Sequence, residues 1–195
     1  MTKLMVMLHG YGSNGDDLMS LAPYFEKLLP DTICFSPNGI EPCEIGIYGY
    51  QWFSLADRSE EFIKTQLEAK AEIIRKMIKD KADSMNLTEN DIILLGFSQG
   101  ATVSSYLSLS SEIPYKAVIG FSGWVFLPQK VHNTRTPICL IHGEADDVVH
   151  HNTQKIGETE LKKLGCTVKT LLIPNLNHSI DMKGLEFASN FINDL

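Results

Sequence analysis

The most informative segment of the chain is Asp91-Ile92-Ile93-Leu94-Leu95-Gly96-Phe97-Ser98-Gln99-Gly100-Ala101. Its first half is an apolar run without polar alternation, which predicts a strand buried on both faces of a sheet. A G-x-S-x-G turn follows at once, and the next residues are able to start a helix. In this strand–turn–helix context the motif predicts a serine, Ser98, held in a strained turn at the top of the sheet. The alternative interpretation is an ordinary Gly-Ser turn of an α/β sheet.

The overall composition is that of an ordinary globular protein. The 195 residues are 44% hydrophobic and 21% charged, and this length predicts one domain over residues 1–195. The net charge of −7 argues against nucleic acid or an anionic membrane as the main partner. The four cysteines are widely spaced, without a C-x-x-C pair, and Cys34 and Cys139, which lie in apolar runs, are predicted to be reduced core residues. Because no apolar run has the length of a signal-peptide core or a membrane span, we expect a cytoplasmic protein without stable membrane insertion.

Patterns typical of strands and helices alternate through most of the chain. The predicted strands are 3–8, 32–36, 92–95, 115–121, 138–141 and 167–173. The predicted helices are 16–29, 57–85, 101–109, 153–164 and 183–195. This alternation predicts an α/β fold with a doubly wound, mostly parallel sheet and helices on both faces. Loops at the carboxyl ends of parallel strands meet along one rim of the sheet, where ligands bind.

Three local features refine this prediction. Pro30 is expected to end the helix over 16–29. A capping box between Asp57 and Glu60 is expected to start the helix over 57–85. Residues 40–55 lose periodicity and are interpreted as a long loop or a small hairpin.

An acid and a histidine follow Ser98 in the order that the serine motif usually has. Asp146 comes 48 residues after Ser98, just past one predicted strand, and His178 comes 32 residues later, past the next. A serine hydroxyl needs a base to take its proton, and the base needs a third group to orient it. We therefore predict a triad of Ser98, His178 and Asp146. Spacing alone does not separate Asp146 from the adjacent Asp147.

A tetrahedral intermediate requires N–H donors at its oxyanion. The backbone N–H of Gln99, directly after the serine, is the first predicted donor. The second is expected from the glycine-rich loop over residues 8–12. A phosphate cradle is the alternative function of such a loop, but the sequence contains neither of the common nucleotide-binding glycine motifs.

Taken together, these motifs resemble the phospholipase/carboxylesterase family of α/β-hydrolases, which includes the acyl-protein thioesterases. The matching segments, in family order, are Leu8-His9-Gly10-Tyr11-Gly12, Gln51-Trp52-Phe53-Ser54-Leu55, Gly96-Phe97-Ser98-Gln99-Gly100, Ser122-Gly123-Trp124, His142-Gly143-Glu144-Ala145-Asp146-Asp147-Val148-Val149 and Asn177-His178-Ser179. The resemblance implies that Asp146 is the acid and that the Leu8 amide is the second oxyanion donor. It also implies an α/β-hydrolase fold with about six strands, trimmed at the N-terminus because only seven residues precede Leu8.

The resemblance further implies hydrolysis of carboxylic esters or thioesters with short to medium acyl chains, without a cofactor or a metal. The substrate is expected to be a small-molecule ester or thioester, or an acylated protein, and the protein a monomer or a homodimer. Two alternatives stay open at this point. One is a ligand-binding protein without catalysis, and the other is a peptidase or amidase that uses the same triad.

The substrate pocket is less well defined by the sequence. The predicted lining residues are Trp52 and Phe53 from the 40–55 segment, and Trp124 and Phe126 after a later strand. An equally weighted alternative is that Trp52 and Phe53 anchor the segment to the body of the protein. If the segment moves, it is expected to act as a flap that excludes water.

Overall fold

Six parallel strands form the central sheet of the protein. The computed structural model describes residues 1–46 and 48–195. The strands of the sheet are β1 (Lys3–Leu8), β2 (Thr32–Phe35), β5 (Ile92–Phe97), β6 (Ala117–Phe121), β7 (Ile138–Gly143) and β8 (Val168–Ile173), in the spatial order β2-β1-β5-β6-β7-β8. All five neighbouring pairs are parallel. The predicted α/β-hydrolase sheet of about six strands is confirmed.

Helices cover both faces of this sheet. They are α1 (Gly15–Met19), α2 (Ala22–Leu28), α3 (Glu60–Asp83), α4 (Gln99–Ser110), α5 (Asn152–Lys163) and α6 (Met182–Asn193). Side chains of β1 alternate between the two faces, as the period of a strand requires. Leu4 and Val6 pack with buried residues of α3, α4 and α5, whereas Met5 and Met7 pack with those of α1, α2 and α6.

The segment between β2 and α3 contains a small hairpin. Its antiparallel strands are β3 (Glu41–Pro42) and β4 (Tyr50–Gln51), which confirms the hairpin interpretation of this segment. Ile47, an apolar residue of the predicted segment, lies outside the described residues. Within the ranges described, no helix is both long and apolar enough to cross a lipid bilayer.

Two helix predictions are wrong in detail. The helix predicted over 16–29 is two helices, because Pro23 lacks an N–H and is accommodated in the first turn of α2. The capping box predicted for Asp57 and Glu60 does not form. Instead, Ser59 caps α3 by accepting the Phe62 N–H, and Asp57 accepts the N–H of Ser59 at 2.8 Å. Both Asp and Ser are good N-cap residues, so composition alone does not choose between them.

Candidate active site

Ser98 occupies the sharp turn between β5 and α4. Its φ of 54° and ψ of −113° are unusual for a residue with a side chain, and such a conformation costs about 1–3 kcal/mol. The flanking glycine is a steric necessity, because a Cβ on Gly100 would lie 1.8 Å from the carbonyl oxygen of Leu8. The N–H of Ser98 donates to the carbonyl of Phe121 at 2.8 Å. The turn is therefore held between both neighbouring strands of β5.

Asp146 and His178 come together on the same rim of the sheet. Asp146 follows β7 and His178 follows β8, and the imidazole Nδ1 lies 2.8 Å from the carboxylate Oδ2. The other carboxylate oxygen accepts the backbone N–H groups of Val148 and Val149 at 3.0 and 2.8 Å. Asp146 is buried, whereas Asp147 is exposed. Of the two adjacent acids, it is therefore Asp146 that contacts the histidine.

The environment of Asp146 favours its charged form. Burial raises the pKa of this carboxyl, but the hydrogen bonds from His178 and from the two valine amides outweigh burial and hold the pKa below its usual range. The Asp146 carboxylate therefore accepts the Nδ1–H of His178, so in the neutral imidazole the nitrogen without a proton is Nε2. In this tautomer Nε2 is able to act as a base.

A cavity of about 510 Å³ lies above the turn, and its wall includes Ser98 and His178. The Phe97 ring packs against the His178 ring, with centroids 4.8 Å apart. The apolar part of the remaining wall is formed by Leu18, Leu21, Leu55, Trp124, Val148, Val149 and Ile180, and the wall also includes the charged side chains of Asp17 and Arg58. The rim thus places a serine and an oriented histidine beside a cavity suited to an apolar group.

Of the two predicted oxyanion donors, Gln99 lies in the cavity wall and Leu8 does not. Gln99 lies in the cavity wall, and its backbone N–H belongs to the first turn of α4, where amides lack partners within the helix. Leu8 is the fully buried last residue of β1 and is absent from the wall that the described residues form, so the structure contradicts this prediction. Tyr11 lies in the wall instead, and its N–H donates to none of the described residues. The sheet continues through Leu8, and the loop reaches the cavity only after His9.

Two of the four predicted pocket aromatics are anchors. Trp52 and Phe53 are fully buried in the core and do not belong to the described cavity wall, which contradicts their predicted role as lining residues. The Trp52 indole donates to the carbonyl of His9 at 2.9 Å. The segment is thereby attached to the glycine loop.

Trp124 and Phe126 also differ from each other. Trp124 lies in the cavity wall as predicted, whereas the described wall does not include Phe126. Phe126 packs against the core on the α3–α5 face of the sheet, with its ring centroid 6.3 Å from that of Trp124. The predicted lining is therefore found only at Trp124.

The glycine loop is fixed by His9. Its Nε2 accepts the N–H of Gly39 at 2.8 Å, so the proton resides on Nδ1, which donates to the carbonyl of Gly10 at 2.7 Å. Burial lowers the pKa of His9, so the ring stays neutral near pH 7. This histidine shapes the loop backbone and takes no part in the cavity wall that is described.

Glu44 of the hairpin joins two residues of the cavity wall. Its carboxylate accepts the hydroxyl of Tyr11 at 2.9 Å, the N–H of Leu55 at 2.8 Å and the hydroxyl of Ser54 at 2.7 Å. The hydrogen bond from Ser54 is the main reason that the pKa of Glu44 is lowered. Glu44 thus holds the glycine loop and the segment after β4 at a fixed spacing.

Sequence reasoning missed one contact of Asp146. His142, near the end of β7, places its Nε2 3.2 Å from Oδ2 of Asp146. The spacing of four residues is visible in the sequence, but the turn that folds Asp146 back onto the strand is not. Over the described ranges, no group of three or more ligating side chains suited to a metal ion is present.

Comparisons with known proteins agree on the family. The chain matches the Phospholipase/Carboxylesterase family model over residues 1–195. It is 29% identical to Esterase YpfH of Escherichia coli over 95% of this chain and 80% of that protein. It is 30% identical to Acyl-protein thioesterase 1 homolog 1 of Dictyostelium discoideum over 96% of this chain and 88% of that protein.

Among solved structures, the crystal structure of esterase PE8 superimposes with a TM-score of 0.92 at 32% identity, covering 99% of this chain and 92% of that one. The family match spans the entire sequence, and the strand–turn–helix, the ordered histidine and the cavity lie within it. The chain therefore belongs to the phospholipase/carboxylesterase family of α/β-hydrolases.

Proposed function

We propose that this protein is a serine hydrolase that cleaves carboxylic esters or thioesters, with Ser98 as nucleophile, His178 as general base and Asp146 as the orienting acid. The observation that carries the proposal is the 2.8 Å hydrogen bond between His178 and Asp146, in a cavity wall that also contains Ser98. The names of the relatives support the class of reaction, since esterases and acyl-protein thioesterases are among them.

The proposed reaction proceeds through an acyl-enzyme. Oγ of Ser98 attacks the carbonyl carbon of the substrate while its proton passes to Nε2 of His178. The tetrahedral oxyanion is stabilised by the backbone N–H groups of Gln99 and Tyr11. The leaving alkoxide or thiolate departs with the proton from His178, and water then releases the acid by the same steps. Each oxyanion donor is expected to contribute about 10²–10³ in rate.

The cavity supports an acyl group of short to medium length. Its wall is mainly apolar and its volume is about 510 Å³, so an alkyl chain gains free energy from burial at about 0.8 kcal/mol per methylene. The leaving group is predicted to belong to a small-molecule ester or thioester or to an acylated protein. The predictions of a cytoplasmic location and of a monomer or homodimer also stay predictions.

The decisive experiment labels the nucleophile. A fluorophosphonate probe is added to the folded protein, the modified residue is mapped by mass spectrometry, and p-nitrophenyl esters from acetate to laurate are tested. We expect labelling at Ser98, and Ser98→Ala is expected to lose on the order of 10⁶ in turnover. The control is Ser84→Ala, an exposed serine at the end of α3 outside the described cavity wall, which should retain labelling and activity.

The alternatives predict different results. A folded wild-type protein that neither labels nor turns over any ester would favour the non-catalytic binding protein. Labelling at Ser98 with cleavage of amides in preference to esters would favour the amidase.

A further inference from the structure

Asp146 is contacted by two histidines. His178 and His142 both approach Oδ2, at 2.8 and 3.2 Å. The His142 side chain is only 1% exposed, and its Nε2 also lies 2.8 Å from the carbonyl oxygen of Val149. The proposed reaction uses His178 and leaves His142 without a role, although a buried imidazole beside a buried carboxylate carries a desolvation cost.

The geometry fixes the tautomer of His142. Its Nε2 faces two acceptors, the Val149 carbonyl and the Asp146 carboxylate, and neither of them has a proton to offer. An unprotonated Nε2 would be repelled by both oxygens, so Nε2 carries the proton. This N–H donates to the Val149 carbonyl and places its partial positive charge beside Oδ2 of Asp146. Burial lowers the pKa of His142 more than these two oxygens raise it, so the ring is neutral and Nδ1 has no proton.

We infer that His142 is a positioning residue for the proposed ester hydrolysis: its Nε2–H, with the nitrogen 3.2 Å from Oδ2 of Asp146, attracts that oxygen electrostatically and holds it where it accepts the Nδ1–H of His178. The inference rests on the proposed function, since it assigns Asp146 the orienting role. Oδ1 is already held by the Val148 and Val149 amides. Oδ2 has the His178 donor and, beside it, the positive end of the His142 N–H. Rotation of the carboxylate would therefore break hydrogen bonds at both oxygens and lose the attraction to His142.

The same contact influences the basicity of His178. The groups that face His142 electrostatically are Asp146, His178 and His151. The Nε2–H dipole places a partial positive charge against Asp146 and thereby reduces the negative potential at His178. Without this donor the imidazolium form of His178 is better stabilised, so His178 would keep its proton to a higher pH. The acidic limb of the pH–rate profile should then shift to higher pH.

The tautomer is tested on the wild-type protein. Nitrogen-15 NMR of histidine-labelled protein at pH 8 should show that the His142 ring carries its proton on Nε2. The His142 signals are assigned by their absence from the spectrum of His142→Gln. A spectrum with the proton on Nδ1 would overturn the inference, because Nε2 would then have no N–H to attract Oδ2 of Asp146. This measurement does not depend on catalysis, so it separates a failure of this inference from a failure of the proposed function.

Two variants test the positioning role through p-nitrophenyl ester kinetics. His142→Phe keeps a flat ring and removes the donor, whereas His142→Gln keeps an N–H donor. We expect His142→Phe to lose about 10- to 100-fold in kcat, as outer partners of catalytic groups do, with KM unchanged and the acidic limb shifted upward. His142→Gln should recover most of kcat and the wild-type profile. The control His132→Phe removes a histidine remote from Asp146 and should behave as wild type.

The opposite outcomes are equally clear. Wild-type kcat and an unmoved acidic limb in folded His142→Phe would refute the inference, as would a His142→Gln variant that folds and is as impaired as His142→Phe. If His142→Phe does not fold, the tautomer and the kinetics of His142→Gln still decide.

Discussion

The side-chain carbonyl of Gln99 accepts the backbone N–H of Trp52 at 2.9 Å, across 47 residues of sequence. The amide end of the same side chain donates to the carbonyl of Phe53 at 2.8 Å. A single buried glutamine thus satisfies the backbone of a dipeptide whose aromatic rings are in the core. Because the Gln99 N–H is a proposed oxyanion donor, these bonds connect the anchoring of the hairpin segment to the geometry of the reaction.

Replacing Gln99 with Ala should therefore affect stability and catalysis together. The variant leaves the buried Trp52 N–H and Phe53 carbonyl without partners, and each costs about 1–3 kcal/mol. We expect a lower free energy of unfolding in urea titration and a lower kcat for p-nitrophenyl esters. Gln129→Ala, a change at an exposed glutamine, serves as the control. An unchanged urea midpoint for Gln99→Ala would contradict the assigned hydrogen bonds.

Substitution by alanine should be disruptive at Gly100 in the Ser98 turn and tolerated at Gly120 in the neighbouring strand β6. A Cβ on Gly100 would meet the Leu8 carbonyl oxygen at 1.8 Å, whereas a Cβ on Gly120 has its nearest neighbours at an ordinary 3.5 Å. Gly100→Ala should therefore lose about 3 kcal/mol or more of stability and most of its esterase activity. Gly120→Ala should remain within about 1 kcal/mol of wild type. Equal thermal midpoints for the two variants would show that the close approach at Gly100 is not as described.

Tyr11→Phe should impair catalysis more than stability. The change removes the hydroxyl that Glu44 accepts at 2.9 Å, and with it one restraint on the loop that supplies the proposed second oxyanion donor. Because Glu44 is exposed, we expect a loss of stability below about 1 kcal/mol together with a kcat reduced about tenfold, a fraction of the effect of removing a donor. The control is Tyr24→Phe, a tyrosine of α2 that lies outside the described cavity wall. A wild-type kcat for Tyr11→Phe would show that the loop holds its position without Glu44.

Stability should decrease below about pH 6.5 because of two buried histidines. Burial lowers the pKa of both His9 and His142, so in the pH range between their folded pKa and the unfolded value of about 6.5 the unfolded chain binds protons that the folded protein does not. The free energy of unfolding therefore rises with pH through this range and falls as the solution is acidified, by up to about 1.4 kcal/mol per pH unit for each histidine. Urea unfolding from pH 5 to 8 measures this slope. His142→Gln should reduce the slope of the free energy of unfolding against pH. An unchanged slope in this variant would mean that His142 is not buried as a neutral ring.

The acyl-chain preference should depend on Trp124 and not on Phe126. Trp124 lies in the cavity wall, and Phe126 packs against the core behind it. Trp124→Ala should enlarge the cavity and move the optimum of the p-nitrophenyl series towards longer chains. Phe126→Ala should lower the thermal midpoint and leave the optimum in place, since its main loss is core packing. If Phe126→Ala shifted the optimum and Trp124→Ala did not, the assignment of the cavity wall would be wrong.

Much of the fold follows from local patterns. Buried strands without polar alternation are recognisable from the apolar runs at β1, β5 and β7, and the strand–turn–helix context gives the serine motif its meaning. The break between α1 and α2 is also indicated in the sequence by Pro23, because proline favours the first turn of a helix. The cap of α3 is not decided in this way, because Asp57 and Ser59 are both favoured N-cap residues.

The predictions of individual site residues failed where a contact depends on how far a strand continues. Leu8 and Tyr11 belong to one motif, and only the end of β1 decides which of them reaches the cavity. Trp52 and Phe53 are of residue types that commonly line pockets, but hydrogen bonds from the side chain of Gln99 hold their backbone in the core. The contact of His142 with Asp146 arises from the turn after β7, and no pattern of the residues themselves indicates it.

The position of β8 has a consequence for inactivation. β8 is an edge strand that pairs with β7 alone among the described strands. The loop that carries His178 follows it directly. Ser98 instead follows β5, in the middle of the sheet. Edges of a structure open locally at a lower free energy than its centre. A brief detachment of β8 would remove the base while leaving the nucleophile turn and most of the core intact, so activity is expected to disappear on heating before the protein as a whole melts.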